Sequence, residues 1–196
     1  MPLNNRQKEV FQELVNIGVG RAGSTLNQLL SSHVELNVPN ISIYSIKDYF
    51  DSHSSDEKIF SSVEMGFRGP INGAANLLFT EKSAAQLTSA LVGEELESYE
   101  MDELKSGTLS EVGNILLNSV MGSISNIIND HFDYSVAEYV EGTFEKLIER
   151  SFDDAKILIV AETYFNVSDM KINGQIVIMM TLESFEIIEK AINSVI

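Results

Sequence analysis

The chain contains the same order of sequence phrases twice, and this duplication limits its possible folds more than any other feature. The phrase INGAANLLFTEKS begins at Ile71 and INGQIVIMMTLES begins at Ile172, an offset of 101 residues (172 minus 71). Upstream of each copy lies a Glu-x-x-Asn pattern, ELVN from Glu13 and EVGN from Glu111, at an offset of 98 (111 minus 13). Two similar offsets in the same order predict two repeats of about half the chain each.

Apolar and small residues around each Glu-x-x-Asn pattern follow the spacing of one helical face. In the first repeat they are Phe11, Leu14, Val15, Gly18, Ala22, Thr25, Leu26 and Leu29. At the same positions plus 98 they are Leu109, Val112, Gly113, Leu116, Val120, Ser123, Ile124 and Ile127. The pattern predicts two long helices, the first over about 7–30. Its small residues predict close packing of these helices on a sheet or on each other.

Segments rich in β-branched and aromatic residues follow each long helix. They span 34–49, 57–67 and 71–80 in the first half and 134–140, 155–165 and 175–182 in the second. Each repeat therefore reads as a helix, strands and a shorter helix. We predict an α+β fold in which residues 1–196 form one domain, with repeats over about 1–92 and 104–196 and an acidic connector over 93–103.

Composition excludes several classes of partner. The chain has 13 basic and 29 acidic residues and a net charge of −16, which disfavours nucleic acid and anionic membrane surfaces. A protein that presents Lys or Arg is the expected counterpart. The absence of cysteine excludes disulfides and thiolate metal sites. No apolar run approaches a membrane span or the core of a signal peptide, so we expect no membrane insertion and a cytoplasmic location.

The stretch GVGRAG from Gly18 to Gly23 matches the G-x-G-x-x-G pattern of dinucleotide sites. Such a turn must follow a strand and open a helix, whereas here it lies inside a predicted helix whose amides are already paired. We therefore expect no nucleotide site. The single histidines His33, His53 and His131 lack metal-ligand spacing, so we also expect no metal and no cofactor.

The Glu-x-x-Asn pairs are stronger candidates for a site. Glu13 and Asn16, and likewise Glu111 and Asn114, are three residues apart and share one helical face, with Cβ atoms roughly 5–6 Å apart. Both pairs lie nearly opposite the apolar face, so we expect all four side chains to point into solvent. Asparagine is a poor helix former, and finding it twice at matched positions favours a functional interpretation.

These residues resemble the active-site signature of the CheC, CheX and FliY family of chemotaxis phosphatases. That signature reads Asp or Ser, three residues, Glu, two residues, Asn, twenty-two residues and Pro. In this chain Glu13 and Asn16 are followed by residues 17–38 and then Pro39, with Glu9 at the Asp or Ser position. The resemblance extends over both halves and is closest to CheC in layout. It implies two pseudo-twofold-related repeats whose long helices pack on a mainly antiparallel sheet.

The second copy of the signature departs from the family pattern. Gly107 stands at the Asp or Ser position, with Ser106 one residue early, and Ala137 stands where the pattern has proline. Because proline stiffens a turn, we expect the first site to be the better formed of the two. The second site keeps its Glu111 and Asn114 pair.

The resemblance also implies a reaction, the hydrolysis of the aspartyl phosphate on a response regulator such as CheY. Asn16 or Asn114 would orient the attacking water, and Glu13 or Glu111 would pair with a regulator lysine. The phosphatase would hold no metal, while the regulator would carry its own Mg²⁺. An alternative is a non-catalytic adaptor of the same fold that binds a response regulator or a CheD-type receptor deamidase. A flagellar-switch component like FliY is less favoured, because the chain shows no segment beyond the duplicated core.

Overall fold

The computed structural model describes residues 3–29, 33–52, 57–92, 98–167 and 170–195, except for the side chains of 98–102. Both repeats follow the same order of helix, strand, short helix, two strands and helix, with the edge strand of the second repeat split in two. The elements are α1 (Asn5–Leu29), β1 (Val34–Ser45), α2 (Ile46–Ser52), β2 (Ile59–Arg68), β3 (Gly73–Thr80), α3 (Glu81–Val92), α4 (Ser98–Ile128), β4 (Asp133–Tyr134), β5 (Glu138–Thr143), α5 (Phe144–Ser151), β6 (Ile157–Val167), β7 (Met170–Met180) and α6 (Leu182–Asn193).

One antiparallel sheet interleaves the strands of both repeats in the order β1-β6-β7-β3-β2, with β4 and β5 both paired to β2. If each strand is replaced by its counterpart in the other repeat, the same order is read from the opposite edge of the sheet. Asn76 pairs with Val177, which is its own counterpart at the 101-residue offset, as a twofold axis through the middle of the sheet requires. The predicted α+β class and pseudo-twofold repeats are confirmed.

The two faces of the sheet carry different helices. Residues of α1, α3, α4 and α6 share one large buried cluster with the sheet, whereas α5 and partly buried residues of α2 pack on the opposite face. The central strands are therefore covered on both sides, which explains why β3 and β7 read as near-continuous apolar runs. Among the described residues, no helix combines the length and hydropathy that a bilayer crossing needs.

Glycine sets the distance between the long helices. A Cβ atom on Gly18 would lie 2.5 Å from Val120 Cα, so only glycine allows α1 to approach α4 this closely. A Cβ atom on Gly113 would lie 2.5 Å from Val63 Cγ1 of β2. The stretch GVGRAG lies inside α1, as predicted, and its first glycine serves helix packing.

The sequence patterns do not predict the two short helices α2 and α5. The strand predicted over 34–49 ends at Ser45, because the Ser45 hydroxyl accepts a hydrogen bond from the Asp48 amide and starts α2. Helix α5 was also not predicted, and it is capped in the same way by Thr143. Within the predicted acidic connector 93–103, residues 93–97 lie outside the described residues and α4 already begins at Ser98. Acidic residues are stabilising in the first turn of a helix, so an acidic stretch alone does not distinguish a connector from a helix start.

Candidate active site

The two Glu-x-x-Asn pairs lie on the long helices, one pair on α1 and one on α4, and these helices pack against each other. Glu13, Glu111 and Asn114 are exposed, whereas Asn16 is half-buried. The two pairs therefore differ in their surroundings, although they occupy matching positions in the repeats.

Both polar atoms of the Asn16 side-chain amide form hydrogen bonds with a neighbouring strand. Its Nδ2 donates to the Val38 carbonyl oxygen at 3.0 Å, and its Oδ1 accepts from the Val38 amide at 2.9 Å. The prediction that Asn16 points into solvent is therefore wrong. The helical pattern placed it opposite the apolar face, but β1 runs beside α1 and meets the amide there.

Pro39 lies in the same contact region, as the signature implies. The pairing of β1 with β6 shifts between Asn37 and Asn40, so the Val38 backbone leaves the ladder at this irregularity. Gln12 Nε2 donates to the Val38 and Pro39 carbonyl oxygens at 3.2 and 2.8 Å. The structure thus brings Asn16 and Pro39 together. Glu9 is exposed, and among the described residues it forms no hydrogen bond with either of them.

A second asparagine of α1 holds the same strand. Asn27 Nδ2 donates to the Val34 carbonyl oxygen at 2.9 Å, and Asn27 Oδ1 accepts from the Val34 amide. Asn27 and Asn16 therefore hydrogen-bond the two ends of the β1 segment 34–38 to α1. This arrangement gives Asn16 a structural role.

The second pair presents its polar atoms to solvent. Asn118 Nδ2 donates to Asn114 Oδ1 at 2.9 Å and to the Asn114 carbonyl oxygen at 2.7 Å. Within the described part of the chain, Asn114 Nδ2 has no hydrogen-bond partner. The counterpart of Val38 is Val136, which is 85% exposed whereas Val38 is 2% exposed, so no strand backbone competes for Asn114. Gly107 adds no side chain, and a Cβ there would meet nothing within 4 Å.

An ion pair with a buried lysine and a partly exposed glutamate joins the N-terminal part of α4 to the edge of the sheet. Lys105 Nζ lies 2.8 Å from Glu141 Oε1 of β5, and the Lys105 side chain is 8% exposed. Tyr139 donates its hydroxyl to the same carboxylate at 2.5 Å. The hydrogen bond from Lys105, with that from Tyr139, holds the pKa of Glu141 below its usual value.

An apolar groove of about 390 Å³ opens beside Glu111, between α1, α3 and α4. Three exposed hydrophobic side chains line it: Leu29, Val92 and Leu104. This groove could not be predicted from sequence patterns, because its lining comes from three helices that only the tertiary fold brings together.

No group of three or more metal-ligating side chains occurs among the residues that the structure describes. His33 lies 3.3 Å from Glu35 on the exposed surface, His131 is exposed, and His53 lies outside the described residues.

Comparisons with known proteins agree with this architecture. No protein-family model matches the chain. The chain is 23% identical over 193 residues to CheY-P phosphatase CheC of Bacillus subtilis, which covers 94% of this chain and 92% of CheC. The crystal structure of Thermotoga maritima FliY superposes with a TM-score of 0.76 at 18% identity, covering 99% of both chains. The chain is thus similar in sequence to CheC and has the same fold as FliY.

The fold also occurs in a signalling complex. A chain of the CheX–CheY–BeF₃–Mg²⁺ complex from Borrelia burgdorferi matches with a TM-score of 0.53 at 19% identity, covering 87% of this chain and 99% of that one. The resemblance to CheC, CheX and FliY that the signature indicates is thereby confirmed.

Proposed function

We propose that this CheC-like protein is a phosphatase that hydrolyses the aspartyl phosphate of a phosphorylated response regulator such as CheY. The observation that carries the proposal is the exposed Glu111 and Asn114 pair, in which Asn114 Nδ2 is unused among the described residues. Similarity to the CheY-P phosphatase CheC supports the same substrate class.

Asn114 is suited to orienting a water molecule. Asn118 donates to Asn114 Oδ1, which directs the free Nδ2 hydrogens away from that contact. A water that accepts a hydrogen bond from Nδ2 keeps a second lone pair for attack on phosphorus. Phosphoryl transfer depends on in-line placement and charge stabilisation more than on a strong base, so an amide suffices.

Glu111 supplies the docking contact in this proposal. It is exposed one helical turn before Asn114, so a regulator lysine that pairs with its carboxylate would bring the phosphorylated aspartate within reach of the amide. The Mg²⁺ ion belongs to the regulator, and the phosphatase forms no covalent intermediate.

The first site has a lesser role in turnover. Asn16 already holds the Val38 backbone through both amide atoms, and orienting water would require breaking these hydrogen bonds. Glu13 remains exposed and available for docking. Although Pro39 completes the signature only in the first site, we assign catalysis to the second.

A non-catalytic adaptor is the second candidate function. The engaged amide of Asn16 shows that this motif also serves the fold, and the apolar groove beside Glu111 offers a surface for a protein partner. Such an adaptor would bind a response regulator or a CheD-type deamidase without releasing phosphate.

Phosphate release from a phosphorylated CheY-type regulator tests the proposal. We expect the wild type to accelerate release and Asn114→Ala to abolish most of this acceleration. The matched substitution Asn16→Ala should leave most of it in place. Binding of the regulator without accelerated release in the wild type would establish the adaptor instead.

A further inference from the structure

A polar groove of about 390 Å³ lies where α1 passes α4, next to the second Glu-Asn pair. Arg21 from α1 and Asn118 from α4 line it, together with Ser125, Asn126 and His131. None of its described lining residues is an Asp or Glu, although the chain has 29 acidic residues. A concave surface with a cation, amides and hydroxyls but no carboxylate is suited to an anion.

Within the described ranges, the charge of Arg21 is not paired with another side chain. Its side chain is exposed, and among the described residues its guanidinium forms no hydrogen bond or ion pair. The backbone carbonyl oxygen of Arg21 accepts a hydrogen bond from Thr25 Oγ1 at 3.1 Å, which leaves the guanidinium uninvolved. By contrast, Arg150 approaches Glu64 at 3.5 Å and Glu138 at 3.3 Å.

Asn118 connects this groove to the proposed catalytic amide. It lines the groove with Arg21, and its Nδ2 lies 2.9 Å from Asn114 Oδ1. An anion bound in front of Asn114 would therefore lie beside the groove that holds Arg21. The counterpart of Arg21 in the other repeat is Ser119 (21 plus 98), so the first site has no equivalent cation.

We propose that the Arg21 guanidinium contacts the phosphoryl oxygens of the response-regulator aspartyl phosphate docked at Glu111 and Asn114. The proposal rests on the proposed phosphatase function and adds a catalytic residue to it. The oxygen of water forms a bond to phosphorus while the phosphorus–oxygen bond to aspartate breaks. The electron pair leaves with the aspartate carboxylate, one water proton moves to a phosphoryl oxygen, and dihydrogen phosphate is released.

Arginine fits this position for two physical reasons. Its planar fork can donate two parallel hydrogen bonds to phosphoryl oxygens, and it remains charged throughout the reaction. A fixed positive charge stabilises the negative charge spread over the equatorial oxygens in the transition state. It also offsets, at the point of contact, the repulsion between a phosphoryl anion and a chain of net charge −16.

The test compares Arg21→Ala and Arg21→Lys with Lys47→Ala, a matched loss of one exposed positive charge on α2. Phosphate release from a CheY-type regulator of the same genome gives kcat and KM. Binding of that regulator with and without BeF₃⁻ and Mg²⁺ gives the preference for the phosphorylated form. We expect Arg21→Ala to lower kcat by about 100-fold and to remove the preference, with thermal unfolding unchanged. Arg21→Lys should retain part of both, and Lys47→Ala should match the wild type.

The outcomes separate this inference from the proposed function. If the wild type turns over and Arg21→Ala has the kcat of Lys47→Ala, the Arg21 contact is refuted while the phosphatase stands. If the wild type releases no phosphate, the phosphatase is refuted and the BeF₃⁻ preference decides the contact. If the wild type binds the regulator more tightly with BeF₃⁻ and Arg21→Ala does not, the Arg21 contact is supported. If the wild type shows no such preference, or if Arg21→Ala keeps it, the Arg21 contact is refuted.

Discussion

Substituting Gly18 by alanine tests whether the contact between α1 and α4 fixes the fold. The new Cβ atom would lie 2.5 Å from Val120 Cα, 2.8 Å from Ser119 O and 2.9 Å from Val120 N. All three are backbone atoms, so no side-chain rotation relieves the overlap. Normal carbon–carbon contact needs about 3.5–4.0 Å, so the helices must separate by roughly 1 Å.

The expected cost follows from two opposing effects. Overpacking of a buried contact costs about 1–3 kcal/mol, and the upper end applies because the backbone must move. Alanine regains about 1 kcal/mol of helix propensity over glycine, which leaves Gly18→Ala about 2 kcal/mol less stable than the wild type. Gly20 is the matched control, because a Cβ there would meet nothing within 4 Å. Gly20→Ala should therefore be stabilised by about 1 kcal/mol.

Urea unfolding followed by circular dichroism measures both variants. The difference between them, about 3 kcal/mol, cancels the propensity term and reports the helix contact alone. The midpoint of thermal unfolding of Gly18→Ala should fall by about 4–8 °C. Stabilities of Gly18→Ala and Gly20→Ala that agree within about 0.5 kcal/mol would refute the reasoning.

Three further predictions concern polar side chains. Asn16→Ala should lower the free energy of unfolding by about 1–3 kcal/mol, because it leaves the Val38 backbone N–H and C=O without their partner. Asn114→Ala should change the free energy of unfolding by less than about 0.5 kcal/mol. Equal losses for the two variants in urea unfolding would contradict the different roles assigned to the two asparagines. Lys105→Met should lower the free energy of unfolding by about 1 kcal/mol in the same assay, since the partly exposed Glu141 carboxylate loses its cation. Folding lowers the pKa of Glu141 from 4.5, so its contribution is present above pH 4.5 and is lost as pH falls through the lowered value. Glu141→Gln should flatten this acid dependence of stability, and an unchanged slope would contradict the assignment.

Long periodic elements could be predicted from the sequence, because the duplication displays each pattern twice. The apolar faces of α1 and α4 and the runs of β3 and β7 fall where the repeats place them. Helices α2 and α5 have seven and eight residues, about two turns each, which is too short for a helical period to appear. Their only sequence signals are the capping residues Ser45 and Thr143.

The contacts of the site were harder to predict than its residues. A helical pattern tells which side of α1 turns away from its own apolar face, but not which strand passes beside that side. The sequence therefore predicts an exposed Asn16, whereas in the structure the Val38 backbone of β1 hydrogen-bonds to its side chain. Arg21 and Asn118 come from different helices, and only the packing of α1 on α4 places them in one groove.

The proline and the asparagine of the signature are in contact with the same part of β1 in the first repeat, and the second repeat lacks this arrangement. Proline has no amide hydrogen to donate to a strand ladder, so Pro39 fits the irregularity of β1 at which the Val38 backbone turns from β6 to the Asn16 amide. In the second repeat Ala137 replaces the proline, and the preceding Val136 is exposed to solvent. Among the described residues no strand backbone bonds to the Asn114 side chain, and its Nδ2 has no hydrogen-bond partner there. In this chain, therefore, the complete signature contains the asparagine that bonds to the β1 backbone, and the incomplete one contains the asparagine that we propose for catalysis.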